Sequence, residues 1–162
     1  MLEIRQTSKD DLKNIQKLWA EKEVMAHVGI PGGLKEANDD MDNWLYSVVS
    51  NRPKSNHYSI YNDDKFCGEV HYNIDTIHCT IAELGIKLYS FARGKGIASD
   101  ALNYVIKEAY KNEAKIIFVN PNPKNKRAIR FYEKFGFDHK ATPDFIDKKY
   151  PGFDHYYMEL KK

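Results

Sequence analysis

Cysteine is almost missing: Cys67 and Cys79 are the only two among 162 residues, too few for a disulfide framework. Long apolar runs are missing too, and nothing approaches the roughly 20 residues of a membrane-spanning helix. The opening Met1-Leu2-Glu3-Ile4-Arg5 has no apolar stretch of secretory type. There is little net charge, with 25 Lys and Arg against 23 Asp and Glu, or +2 at pH 7. Nucleic-acid-binding domains ordinarily show a stronger basic excess, often with pI above about 9, against 8.4 here. Internal repeats, low-complexity segments and dividing linkers are absent as well. What is present, 42% hydrophobic and 13% aromatic residues, excludes wholesale disorder. The length fits one domain, at roughly 100–200 residues each. These features predict a single soluble domain over residues 1–162, cytoplasmic, with no membrane or nucleic-acid partner.

Hydrophobic spacing gives the elements. Residues 1–6 read as a strand. Ser8 and Asp11 form a capping-box pattern before Leu12, Ile15, Leu18 and Trp19, which recur at helical spacing. Gly29-Ile30-Pro31-Gly32-Gly33 breaks any helix. A second helix carries Met41, Trp44, Leu45, Val48 and Val49 on one stripe and stops near Arg52-Pro53. Residues 57–61, 66–74 and 79–88 then change period and read as an antiparallel meander. Ile97, Ala101, Val105 and Ala109 define a third helix. Ile116-Ile117-Phe118-Val119 is a continuous apolar run, as for a central strand covered on both faces. A fourth helix spans roughly 125–135 and ends at Gly136, and residues 156–160 suggest a last strand. The predicted class is mixed α/β: a central, mostly antiparallel sheet of six or seven strands, with about four helices on both faces.

Chemistry concentrates where the third strand of the meander runs into Arg93-Gly94-Lys95-Gly96-Ile97-Ala98 and then directly into a helix. Glycines allow close backbone approach, and the first-turn amides of a helix have no internal partner. Together with the helix dipole they favour an anion such as a phosphate or pyrophosphate. The P-loop pattern fails, because Gly94-Lys95 is followed by Gly96 rather than Ser or Thr. The Rossmann fingerprint fails too, with Ser99 in place of its third glycine and Asn120-Pro121 in place of the ribose-binding acid. Arg-x-x-Gly-x-Ala remains, met by Arg93, Gly96 and Ala98.

That pattern resembles the pyrophosphate-wrapping motif of the GNAT superfamily of acyl-CoA-dependent N-acetyltransferases. A second segment, Asn125 through Ala128 and Tyr132 to Lys134-Phe135-Gly136-Phe137, resembles the family's Asn-x-x-Ala-x-x-x-Tyr-x-Lys-x-Gly-Phe signature. Asn125, Ala128 or Ile129, and Tyr132 also share one helix face by spacing alone. The resemblance implies acetyl-CoA as co-substrate. It would run along Ile86, Lys87 and Leu88, with backbone amides of Ile86 and Leu88 pairing with pantetheine. It would wrap around Arg93, Gly94, Lys95, Gly96, Ile97 and Ala98 and pack against Asn125, Ala128 and Tyr132. Within the superfamily, the chain looks closest to aminoglycoside 6'-N-acetyltransferases and ribosomal-protein N-terminal acetyltransferases.

Acetyl transfer to an amine has two proton problems. A lysine-like ammonium must deprotonate before attack, which costs about 4.6 kcal/mol at pH 7. A thiolate leaves more readily with a proton donor beside it. Glu83, on the strand parity opposite Leu84, Ile86 and Leu88, is the candidate base, acting directly or through water. By the resemblance, Tyr132 is the candidate acid. No covalent enzyme intermediate is expected. Each residue also has a plain structural role open to it: Glu83 as a salt-bridged carboxylate, Tyr132 as a core phenol, Asn125 as a helix cap. His71 and His78 have no ligand array at metal spacing, so no metal is expected. Cys67 and Cys79, on neighbouring predicted strands, are expected to be inert thiols.

The resemblance places the acceptor between residues 23–40 and 140–157. Glu21, Glu23, Asp39, Asp40, Asp144, Asp147 and Asp154 stand in or beside these segments and are candidates to receive a cation. The expected acceptor is an amine-bearing small molecule or a peptide N-terminus. A catalytically silent acyl-CoA sensor is the alternative, and monomer and homodimer are both open.

Overall fold

A computed structural model describes residues 1–78 and 80–161. Strand β1 (Leu2–Gln6) leads through a single 3-10 turn (Lys9–Asp11) into helix α1 (Leu12–Ala20), then the short α2 (Lys22–Ala26) and α3 (Asn38–Ser50). The meander is β2 (Ser55–Asn62), β3 (Lys65–Asp75) and β4 (Ile81–Leu88). Helix α4 (Ile97–Lys111), β5 (Ile116–Val119), α5 (Lys126–Phe135), β6 (Phe137–His139), α6 (Asp144–Lys149) and β7 (Met158–Leu160) complete the chain. One seven-stranded sheet runs β1-β2-β3-β4-β5-β7-β6, antiparallel at every step except β4–β5. None of the described helices is long and apolar enough to cross a membrane.

The mixed, mostly antiparallel sheet agrees with the sequence pattern, and the differences are short elements. The described residues hold six α-helices rather than about four, because α2 and α6, of five and six residues, leave too little periodicity to read. The last strand starts at Met158 instead of 156, and β6 adds three residues after Gly136. The Ser8–Asp11 box is half formed: the Asp11 carboxylate accepts from the Ser8 amide at 2.8 Å, while the Ser8 hydroxyl donates to that carboxylate instead of capping an amide. Asp11 also holds Arg5 and the Tyr61 hydroxyl, which ties α1 to β1 and β2. Cys67 is buried, and its predicted neighbour Cys79 lies outside the described residues.

The two faces of the sheet differ in chemistry. Tyr58, Ile60, Val70, Tyr72 and Leu84 face α4, whose Ala101, Leu102, Val105 and Ala109 complete an apolar core. Ile117 and Val119 join that core while Phe118 packs with Ile146 and Tyr157 on the other side, so β5 is covered on both faces as its composition predicts. The alternate residues of β2–β4 put His57, Ser59, Glu69, His71 and Lys87 beneath α1 and α3. That face is polar at its centre.

Candidate active site

Parallel pairing of β4 with β5 lasts only from Ile81–Ile116 to Glu83–Phe118. Beyond it β4 continues to Leu88 and borders a cavity of about 870 Å³, near the upper end of the ~300–1,000 Å³ typical of ligand sites. Backbone groups alternate edges along a strand. The Tyr89 amide donates to Cys67 of β3, so those of Ile86 and Leu88 point to the opposite, cavity edge. These are the two donors that the sequence reading assigns to pantetheine.

At the far end of β4, Gly94 and Gly96 take positive φ values of 73° and 79°, in the left-handed region that favours glycine. A Cβ at either would meet nothing within 4 Å, so conformation rather than space selects glycine there. This turn presents the start of α4 to the cavity, where its first amides lack intrahelical partners. Gly94, Gly96, Ala98 and Ser99 line the wall. Ile97 is buried in the core and Lys95 is exposed, and neither side chain lines the cavity.

Arg93 lines the cavity and has a bracing task as well. Its guanidinium donates to Glu23 at 2.7 Å and to the Leu88 carbonyl at 3.0 Å. It braces α2 against the end of β4, and its charge is already paired. Arg127 of α5, exposed, also lines the cavity.

Helix α5 closes the opposite side. The Asn125 side chain accepts from the Ala128 amide at 3.1 Å, a helix cap, and also lines the cavity with Ala128 and Tyr132. Burial pushes the Tyr132 phenol up to about 12, so it stays protonated across the physiological range. Glu83 lies where the strands part. Its Oε2 accepts from the Tyr150 hydroxyl at 2.7 Å and from Lys149 at 2.9 Å. Burial, then the Glu83 charge, raise the Tyr150 phenol to about 12. Tyr150 and Lys149 carry no sequence motif; only the packing of the 140–157 segment on β4 reveals them. The same holds for Asn120, which donates to His155 at 2.8 Å and accepts from the Tyr156 amide.

A buried polar cluster borders the cavity on the α1 side. Glu69, 1% exposed, accepts from Lys87 at 2.7 Å and from the Trp19 indole at 3.0 Å, and His57 Nε2 lies 3.1 Å away. Burial alone would raise its pKa, but Lys87 and His57 outweigh that and hold the carboxyl well below its ordinary value. Donor atoms of His57, Glu69 and His71 come within 4.8 Å of one another. His71 therefore has the carboxylate neighbour that sequence spacing denied it, although the Lys87 ammonium already serves that carboxylate. The His71 ring lies over Gly85, where a Cβ would sit 2.3 Å from it.

The arrangement is an anion-ready turn, a parted strand pair, a carboxylate and a protonated phenol around one cavity. A family model described as an acetyltransferase (GNAT) domain matches residues 1–138. The chain belongs to the GNAT acetyltransferase family. No curated protein matches the sequence significantly. Among solved structures, an N-acetyltransferase from Staphylococcus aureus Mu50 is 21% identical over 99% of this chain and 98% of its own, with TM-score 0.80. A ribosomal-protein-alanine N-acetyltransferase from Brucella melitensis is 20% identical over 99% of both chains, with TM-score 0.78. The aminoglycoside acetyltransferase AAC(6')-Ib, solved with coenzyme A, is 18% identical over 100% of this chain and 95% of its own, with TM-score 0.77. At such identities the likeness establishes a shared fold.

Within this GNAT fold the acceptor loops depart from expectation. Of the seven acidic side chains considered for a cation, only Asp154 lines the cavity. Glu23 is paired with Arg93, Asp40 accepts from the Ala37 amide at the start of α3, and Asp147 lies 3.5 Å from His155.

Proposed function

We propose that this GNAT protein is an acetyl-CoA-dependent N-acetyltransferase that moves the acetyl group directly to a primary amine. One observation carries the reading: a single cavity is bordered by the Gly94–Gly96 turn, the free edge of β4, Glu83 and Tyr132. The residues present fit the co-substrate. The turn leaves open space and outward amides for a pyrophosphate, and the Ile86 and Leu88 amides remain for the pantetheine arm. Acetyl-CoA supplies an activated thioester.

The chain's own groups handle protons and position. The amine nitrogen forms its bond to the carbonyl carbon as the carbon–sulfur bond breaks and the sulfur leaves as thiolate. Glu83 takes the ammonium proton through a water at Oε1, since Tyr150 and Lys149 both occupy Oε2, and the second proton, which the nitrogen sheds after the bond to carbon forms, goes to solvent. Tyr132 donates a hydrogen bond to the leaving sulfur. Complete transfer from a phenol near 12 to a thiolate whose acid titrates near 8.5 is uphill by about 5 kcal/mol, so Tyr132 stabilises the thiolate and solvent protonates it. The main-chain amide of Leu88 polarises the carbonyl. Cys67 is buried with its thiol pushed up by burial, which suits transfer without an acyl-enzyme.

Calorimetry with acetyl-CoA and a thiol-release assay across amines test this. Saturable binding, and intersecting rather than parallel initial-rate lines, are expected. No binding at millimolar acetyl-CoA overturns the reading, and binding without thiol release favours a silent acyl-CoA sensor. Glu83→Gln is expected to lower the rate most at low pH, where more of the amine is protonated; an unchanged pH profile removes its role as base.

A further inference from the structure

The part of the cavity bordered by α1, α2 and the 150–157 loop is walled largely by apolar side chains. Trp19, Val24, Met25, Val28, Ile30 and Leu34 enter it from α1, α2 and the following loop. Phe153 enters from the 150–157 loop, 60% exposed at the mouth. The two loops meet there, since a Cβ at Gly29 would lie 3.6 Å from the Phe153 ring.

The charges around this part are already balanced. Glu83 is held by Lys149 at 2.9 Å, the buried Glu69 by Lys87 at 2.7 Å, and Glu23 by Arg93 at 2.7 Å. Among the described lining residues the remaining acidic side chain is Asp154, exposed at the mouth. A polycation entering here would have to strip water from several ammonium groups with one carboxylate to receive them, and buried charge without a partner is costly. An acceptor with one amine on an apolar body makes no such demand and covers the exposed Val28 and Phe153 side chains.

Resting on the acetyl-transfer reading, we infer that the acceptor is a small apolar monoamine, an alkyl- or arylalkylamine, rather than a polyamine, an aminoglycoside or a peptide terminus. The amine faces Glu83, and the hydrocarbon lies between Trp19, Val28 and Phe153.

Thiol release at saturating acetyl-CoA, compared for 2-phenylethylamine, spermidine, kanamycin and an alanine-terminated tetrapeptide, tests it. The expected result is a kcat/KM for 2-phenylethylamine at least tenfold above each of the others. Equal or higher values for any of the other three overturn the inference. Val28 is 41% exposed, so Val28→Asp is expected to fold, and to move the phenylethylamine-to-spermidine ratio at least tenfold towards spermidine; an unmoved ratio also counts against it. If no amine releases thiol although acetyl-CoA binds, the acetyl-transfer reading fails separately. Quenching of tryptophan fluorescence in the CoA-loaded protein then decides the ligand class. Half-saturation by 2-phenylethylamine at a concentration at least tenfold below spermidine upholds it, and the reverse order or no quenching overturns it.

Discussion

The two halves of the cavity are built in different ways. The half proposed for the cofactor comes from two continuous stretches, 83–99 and 120–132, which are shaped by local conformation: left-handed glycines, a capping asparagine, free amides at a strand edge and a helix start. The half proposed for the acceptor comes from α1, α2, β3, β4 and the 150–157 loop, brought together by ion pairs between residues up to 70 positions apart. Local geometry can be demanded by a short motif, because a phosphate presents the same shape to every protein that wraps it. An amine acceptor presents no fixed shape, and its half is set by whichever side chains the packing delivers.

Changes on each side should break this contrast in different observables. Removing Glu69 is expected to have the largest effect, because it leaves the Lys87 ammonium without its buried partner. Glu69→Ala should lower unfolding free energy by about 3–5 kcal/mol in denaturant titration, and a loss below 1 kcal/mol would show that the cluster is not structural. Tyr132→Phe should leave the fold intact. It should cut kcat at least tenfold, and by about a hundredfold or more if it behaves as a typical transition-state hydrogen-bond donor, with acetyl-CoA affinity unchanged within twofold. Equal turnover removes Tyr132 from the chemistry.

On the cofactor side, Gly96→Ala forces an L-residue to φ 79°, a strain of about 1–2 kcal/mol. Acetyl-CoA binding should weaken by roughly tenfold in calorimetry while the amine preference stays as it was. An altered preference would mean that the two halves are not separable. The smallest effect is a slope. Burial, with Lys87 close by, pushes the His71 imidazole down to about 3, against about 6.5 unfolded. Between those values the unfolded chain takes up a proton there and the folded chain does not. Stability therefore falls as pH drops through that window, by at most about 1.4 kcal/mol per pH unit for one proton. Glu69, held below its ordinary value, adds to the loss at the acid end. His71→Gln should flatten the upper part of this slope in thermal melts run from pH 7 to pH 4.

Legibility followed range of interaction. The Leu12–Ile15–Leu18 stripe, the α4 stripe and the Gly136 cap express periodicity or backbone preference and read directly from residue order. Helices α2 and α6 did not, because one turn of helix has no period to detect. Of the residues proposed for the site, Glu83, Ile86, Lys87, Leu88, Asn125, Ala128 and Tyr132 share the cavity, along with Arg93, Gly94, Gly96 and Ala98. Ile97 and Lys95 sit beside it, since a motif marks a stretch of chain and not which side chains turn inward. Arg93, which the resemblance places at the phosphate turn, also braces α2, because Glu23 reaches it from 70 residues away. His71 looked isolated, because its neighbours His57 and Lys87 arrive by cross-strand register.

The sequence alone determined the fold class, and its resemblance to the family marked the stretches proposed for the cofactor, since those rest on period, glycine conformation and short motifs. Tertiary structure alone decided which charges are free. Seven acids in the acceptor segments suggested a cation site, yet packing pairs several of them or turns them away and leaves Asp154 at an apolar mouth. How strongly a carboxylate draws an ammonium depends on whether another cation already holds it. That condition depends on distances of about 3 Å between residues far apart in the chain, which residue order does not carry.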